Sequence, residues 1–189
     1  MSGLLPTTLI HPGRRLYHVS RIAYAAGALY FGCANNRYDD PVGRFRVLYV
    51  GLDFPTALME SMFHQHAWTT EQRHVGRGDL ADRLVREVAV LDRLVLVDLN
   101  APGLMAARLG LNLHQLTSRD YSHTQQIAAL AHDQGGVDGI VYPSRNNYPS
   151  SCIALFDRCA DRLGLAADIA LDQHSQWPAF VERYSIHVL

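Results

Sequence analysis

Apolar positions along this chain fall into short runs, which predicts many brief elements in place of a few long ones. Residues 16–22 (LYHVSRI) read as a first strand. Residues 23–46 are rich in Gly, Asn, Asp and Pro and read as a long loop. VLYVG at 47–51 is a nearly continuous apolar run of strand length. A helix is expected directly after it, with Asp53 or Phe54 at the cap, Pro55 in the first turn and TALMESMFHQHA continuing it.

Residues 79–91 fit a second helix or a strand, and VLVDL at 95–99 is another strand. Asn100-Ala-Pro-Gly breaks the chain before a short helix at 103–109. A helix beginning near Ser122 fits 122–134, GIVYPS at 139–144 is a strand entering a polar loop, and SCIALF at 151–156 is a further strand. The tail from 165 to 189 reads as peripheral strand or helix. Interleaved short strands and helices without βαβ regularity predict an α+β fold in one domain spanning residues 1–189.

Composition narrows the chemistry. A length of 189 residues, 48% hydrophobic and 19% charged, suits one globular domain with its own core. The formal net charge of −1 gives no general pull toward nucleic acid or an anionic membrane, so no direct nucleic-acid or membrane partner is expected. All seventeen basic residues are arginine, which excludes a lysine Schiff base and a lysine-bearing P-loop. Arginine is then the permanent cation available to a phosphate.

Cys33, Cys152 and Cys159 form no CxxC pair, so a zinc site or a disulfide framework is not expected and a reducing cytoplasm is. The N-terminal stretch does not read as a signal peptide, and no apolar run reaches the roughly 18 residues of a membrane span. Ten histidines raise metal binding, but His64-Gln-His66 and the His11/His18 pair lack ligand spacing, and no metal is expected. Asp39-Asp40 before Pro41 reads as a turn-forming pair. Ser122-His123 lacks the GxSxG of a nucleophile elbow. No GxGxxG is present, so a Rossmann-type site is not indicated.

One stretch, residues 36–60, concentrates candidate chemistry. Arg37 lies in the turn-rich loop, Tyr49 in the apolar strand and Glu60 in a mainly apolar helix. On the strand Tyr49 shares a face with Val47 and Gly51, and Gly51 is expected to leave room beside the ring for something flat. Each residue has an ordinary alternative: a solvated loop arginine, a core tyrosine with its hydroxyl at the edge, a glutamate on the wet face of a helix. Glu60 suits its alternative least, because so much of its helix is apolar.

The run YFGCANNRYDDPVGRFRVLYVGLDFPTALMESMFH resembles the RES-domain family, named for Arg, Glu and Ser residues; Arg37, Tyr49 and Glu60 match its positions. Asp120-Tyr121-Ser122-His123-Thr124-Gln125 and Gly139-Ile140-Val141-Tyr142-Pro143-Ser144 also resemble family segments, so the likeness covers roughly 16–156. The resemblance implies an ADP-ribosyltransferase-like fold of mixed sheets with short helices. It implies a toxin of a toxin–antitoxin pair that consumes NAD⁺ as a substrate, with no prosthetic group. The NAD⁺ would be hydrolysed, phosphorolysed or used to ADP-ribosylate a protein; an inactive binding module is a further alternative. An Xre-type antitoxin is the implied partner, with a homodimer inside the toxin–antitoxin complex as a further possibility.

On that resemblance Glu60 faces the developing ribose charge, Arg37 grips the pyrophosphate, and Tyr49 stacks on nicotinamide or ribose. Many family members carry an arginine in the first strand after an aromatic residue. Here the place reads Tyr17-His18, with Arg21 three residues on, so His18 or Arg21 takes that part. Ser122 is favoured as the family serine, contacting a phosphate or the carboxamide, and Ser144 is kept as a wall residue.

Overall fold

The computed structural model describes residues 5–33, 35–63, 73–102, 104, 109 and 112–189. Ten strands run in chain order. β1 (Thr7–Ile10), β2 (Arg15–Arg21), β3 (Val47–Gly51), β4 (Arg73–Val75) and β5 (Arg83–Val90) come first. β6 (Leu94–Asp98), β7 (Gly139–Pro143), β8 (Ser151–Phe156), β9 (Leu163–Ala170) and β10 (Ile186–Val188) follow. The α-helices are α1 (Phe54–Ser61), α2 (Arg77–Ala81), α3 (Leu113–Thr117), α4 (Ser122–Asp133) and α5 (Trp177–Tyr184). Eight strands form one sheet in the order β1-β6-β7-β8-β3-β2-β5-β9, and β10 pairs with β4 in a small second sheet. In the large sheet β6 and β7 run parallel and the other described pairings antiparallel. The architecture is the α+β mixture the sequence predicts.

The central strands read as continuous apolar runs because both faces of the sheet are covered. Along β8, Cys152, Ala154 and Phe156 join a core that includes Ile127, Ala128 and Ala131 of α4. Ile153 and Leu155 point the other way, into a core with Leu48, Val50, Val88 and Leu96. A third core packs Phe54, Leu58 and Met59 of α1 against Val85 of β5 and Trp177 and Phe180 of α5.

α1 starts where the sequence puts it. Asp53 is the N-cap, in extended conformation, and its carboxylate accepts from the Thr56 amide at 2.8 Å, with Pro55 in the first turn. Its described turns end at Ser61, and the rest of the expected run, from residue 64, lies outside the described residues. The same holds for most of the short helix expected at 103–109.

Four expectations change. TTLI forms an edge strand, β1, ahead of the predicted first strand and antiparallel to β6. The 79–91 segment is both things in turn: α2 ends at Ala81, and from Arg83 the chain becomes β5, zipped between β2 and β9. The tail is structural, since β9 completes the sheet edge against β5 and α5 closes the third core. Asp39 and Asp40 are buried at 1% and 4% exposure; Asp40 takes the Arg44 guanidinium at 2.9 Å, which holds its carboxyl below the usual carboxylate range. They anchor the loop in addition to turning it.

Candidate active site

β2 and β3 are neighbours in the sheet yet share one Cα pairing, Tyr17 with Gly51. β2 meanwhile pairs with β5 over its whole length, and β3 with β8 over its own. The sheet therefore parts between β2 and β3. A cavity of about 410 Å³ occupies the parting, lined by three consecutive residues of each strand: Tyr17, His18 and Val19, and Tyr49, Val50 and Gly51. Side chains of a fully paired strand alternate between faces, so only a splayed edge exposes consecutive residues to one space. The volume is in the range of small-molecule sites. Arg37, Glu60, Tyr121, Tyr142 and Arg145 complete the working part of the wall.

Glu60 reaches the cavity from the last turn of α1. One carboxylate oxygen, Oε1, accepts from Ser144 Oγ at 2.6 Å and from the Asn146 amide at 2.8 Å. Ser144 is itself buried, and its Oγ accepts from the Asn147 amide at 2.9 Å. The Asn147 side chain continues the brace: it donates to Thr56 Oγ1 in α1 and accepts from the Tyr184 hydroxyl in α5. The glutamate is fixed from below by the β7–β8 loop, and that loop is fixed by two helices. Such bracing holds a charged group still with no reorganisation at the moment of reaction.

Arg37 is set by the loop before β3. The buried Asp39 carboxylate accepts from the Tyr49 hydroxyl at 2.8 Å and from the Asn36 amide at 2.9 Å, while the Tyr49 hydroxyl accepts from the Tyr38 amide at 2.9 Å. Burial, then the neighbouring Asp39 charge, pushes the Tyr49 phenol well above its ordinary value, so it stays a donor. Tyr49 thus commits its hydroxyl to the loop and is itself one of the residues that line the cavity. The Arg37 guanidinium donates to the Leu116 carbonyl at 3.0 Å and sits 5.8 Å from the centre of the Tyr121 ring. Arg145 donates likewise to the next carbonyl, Thr117, at 3.3 Å. Two permanent cations therefore gather at the C-terminal end of α3, beside the cavity.

Gly51 borders the cavity, but the place its side chain would take is filled by the protein's own backbone and is not the room beside the ring that the sequence leads one to expect. A Cβ there would stand 2.5 Å from the Ala57 amide nitrogen and 2.8 Å from the Asp53 carbonyl oxygen. The missing side chain lets the start of α1 lie on β3, and that contact is what carries Glu60 to the cavity.

The first-strand alternatives separate. His18 lines the cavity, and its Nδ1 is 2.8 Å from the Tyr49 carbonyl oxygen. A carbonyl only accepts, so Nδ1 carries the proton. Burial lowers the imidazole's proton affinity against the opposing effect of that hydrogen bond, and the Arg86 charge lowers it further. Arg21 is exposed, 3.7 Å from Asp82, and lines none of the cavity. The serines separate too, against the preference drawn from sequence: Ser122 is exposed at the start of α4, while Ser144 touches Glu60. Tyr121, Tyr142 and Arg145 are cavity residues that the sequence reading did not single out, although the first two lie inside segments recognised as family-like.

The family model of the RES domain matches residues 15–178. This chain belongs to the RES-domain family. The match reaches beyond residue 156 and takes in β9 and the start of α5, in keeping with their structural role. Among solved structures, this RES-domain protein is similar to a chain of the M. tuberculosis MbcT–MbcA toxin–antitoxin complex. The TM-score is 0.63 at 19% identity, covering 85% of each chain. That likeness shows a shared fold. None of the curated proteins searched matches. No described helix is long and apolar enough to cross a membrane.

Proposed function

We propose that this RES-domain protein is the toxin of a toxin–antitoxin pair and cleaves NAD⁺ at the nicotinamide–ribose bond. The observation that carries the reading is the braced Glu60 carboxylate in one cavity with Arg37 and Arg145. Breaking the nicotinamide–ribose bond leaves positive charge on the ribose, as in glycoside cleavage. Nicotinamide departs as a neutral ring, so a general acid is not needed. One rigid carboxylate beside the ribose supplies the principal stabilisation, by charge and by accepting from a ribose hydroxyl.

Arg37 and Arg145 suit the two charges of the pyrophosphate, each through charge-assisted hydrogen bonds. Both now donate to carbonyls of α3. These neutral acceptors would be exchanged for phosphate oxygens, a stronger pairing. The Tyr49 ring, held at its hydroxyl, offers a π-face to the pyridinium. Ser144 acts through Glu60, whereas Ser122 and Arg21 are left outside the site. An Xre-type antitoxin fits as partner, since the similar solved chain comes from a toxin–antitoxin complex. The loop at 35–46, which positions Arg37 and exposes Val42, is a natural face to cover.

Incubating the pure protein with NAD⁺ and following nicotinamide release tests the reading. Release by the protein alone is expected. Release that requires inorganic phosphate would identify phosphorolysis, release that appears only after a phosphate-free cell lysate is added would identify a protein acceptor, and no release under any of these conditions would overturn NAD⁺ as the substrate.

A further inference from the structure

His18 lies on β2 at the parting of the sheet and lines the cavity, and its surroundings give it a chemical state. Nδ1–H is committed to the Tyr49 carbonyl. Nε2 has no hydrogen-bond partner among the described residues, and it is not one of the buried polar atoms sealed without a partner. On a residue that lines the cavity, this leaves Nε2 as an acceptor open to the cavity. Charged groups converge on the ring from each side. From β5, Arg86 stands directly across the strand pairing and is ion-paired with Asp168 of β9 at 2.9 Å. From β3, the Tyr49 phenol is turned to Asp39. Glu60, Arg37 and Arg145 share the cavity wall. Burial and Arg86 together keep the imidazole neutral at pH 7.

We infer that His18 is the general base of the reaction and that the acceptor of the ADP-ribosyl group is water, an inference that rests on the NAD⁺ reading above. Water is neutral and must lose a proton as its oxygen bonds to ribose C1′, so it needs a base within the cavity. Phosphate arrives as an anion and needs cations instead. Among the described residues the cavity wall holds two permanent cations, Arg37 and Arg145, and on the NAD⁺ reading both are engaged by the pyrophosphate, which leaves neither for an incoming phosphate. The C1′–nitrogen bond breaks and its electron pair neutralises the pyridinium. The water oxygen bonds to C1′, and its proton passes to Nε2 of His18 and then to bulk solvent. The net products are ADP-ribose, nicotinamide and one proton.

The test compares wild type with His18→Gln, whose amide stands near the place of Nε2 but takes up no proton. His18→Asn, whose amide nitrogen stands near the place of Nδ1 and keeps a donor for the Tyr49 carbonyl, and NAD⁺ affinity by calorimetry guard against a folding or binding defect. Products are separated with and without inorganic phosphate. Wild type is expected to form ADP-ribose under both conditions. Its kcat should be level above pH 7 and fall through a midpoint below about 6.5, the ordinary histidine value. His18→Gln should retain NAD⁺ affinity, lose roughly 10²–10⁴ in kcat and lose that acidic limb. Azide, a nucleophile with no proton to give up, should restore nicotinamide release in the variant. An unaltered kcat in His18→Gln, or a loss that azide does not repair, overturns the base assignment while leaving NAD⁺ cleavage intact. NAD⁺ consumption only with phosphate or with a protein acceptor overturns water as the acceptor. A wild-type protein that releases no nicotinamide under any of these conditions overturns both readings.

Discussion

Replacing Ser144 by alanine isolates the brace beneath Glu60 without touching the cavity wall. The hydroxyl makes two bonds, donating to Glu60 Oε1 at 2.6 Å and accepting from the Asn147 amide at 2.9 Å. The first is to a charged group, and such bonds are worth about 1.5–3 kcal/mol. Glu60 keeps its bond from the Asn146 amide, so it stays tethered at one point and gains freedom to swing. If about 2 kcal/mol of carboxylate positioning is lost in the transition state, kcat falls roughly 30-fold. The ground state loses little, because substrate binding rests on the arginines, so KM moves far less than kcat. The orphaned Asn147 amide adds about 1–3 kcal/mol of destabilisation, read by chemical denaturation. The assay is steady-state nicotinamide release against NAD⁺ concentration. Ser122→Ala is the control, with turnover unchanged and stability within about 0.5 kcal/mol. A Ser144→Ala protein with wild-type kcat and reduced stability would refute the positioning role and reduce Ser144 to a structural residue.

Three further outcomes follow from the geometry. Arg37→Ala and Arg145→Ala should each raise KM by roughly tenfold or more, the worth of a charge-assisted contact, whereas Arg21→Ala should leave the kinetics unchanged. Tyr49→Phe removes the hydroxyl between Asp39 and the Tyr38 amide and should cost about 1–3 kcal/mol in urea unfolding, with KM rising as the Arg37 loop loosens. Gly51→Ala forces a methyl into the backbone of α1 and should cost about 1–3 kcal/mol or more, with activity falling as Glu60 is displaced.

Much of the frame was legible because local signals agreed with tertiary demand. The run at 47–51, the Asp53 cap with Pro55, the helix from Ser122 and the strands at 139 and 151 all appear with bounds close to those read from pattern. β1 escaped because a four-residue edge strand, half exposed in alternate positions, carries too few apolar residues to stand out. The 79–91 segment defeated a single assignment because a short helix and an eight-residue strand abut at Asp82. The tail was undervalued because its importance is tertiary: Asp168 neutralises the buried Arg86, and Tyr184 steadies Asn147.

The site was legible where it is local in sequence and obscure where it is made by topology. Arg37, Tyr49 and Glu60 lie within one loop–strand–helix passage, so a linear reading could group them. Ser144 comes to Glu60, and Arg145 to the cavity, only because β8 lies beside β3 and brings the β7–β8 loop under α1. No spacing rule distinguishes Ser144 from Ser122 before that strand order is known. Gly51 shows the converse: its identity was informative, but the space it frees is taken by the protein's own backbone.

Glu60→Gln under saturating NAD⁺ is the most direct measurement. Glutamine keeps an oxygen to accept from Ser144 and Asn146 and removes the negative charge. The expected result is unimpaired NAD⁺ binding with nicotinamide release slowed by roughly 10²–10³, the usual loss when one fixed electrostatic partner of a transition state is removed. Nicotinamide release at the wild-type rate from a folded Glu60→Gln protein would contradict the assignment of Glu60 as the group that stabilises the ribose charge.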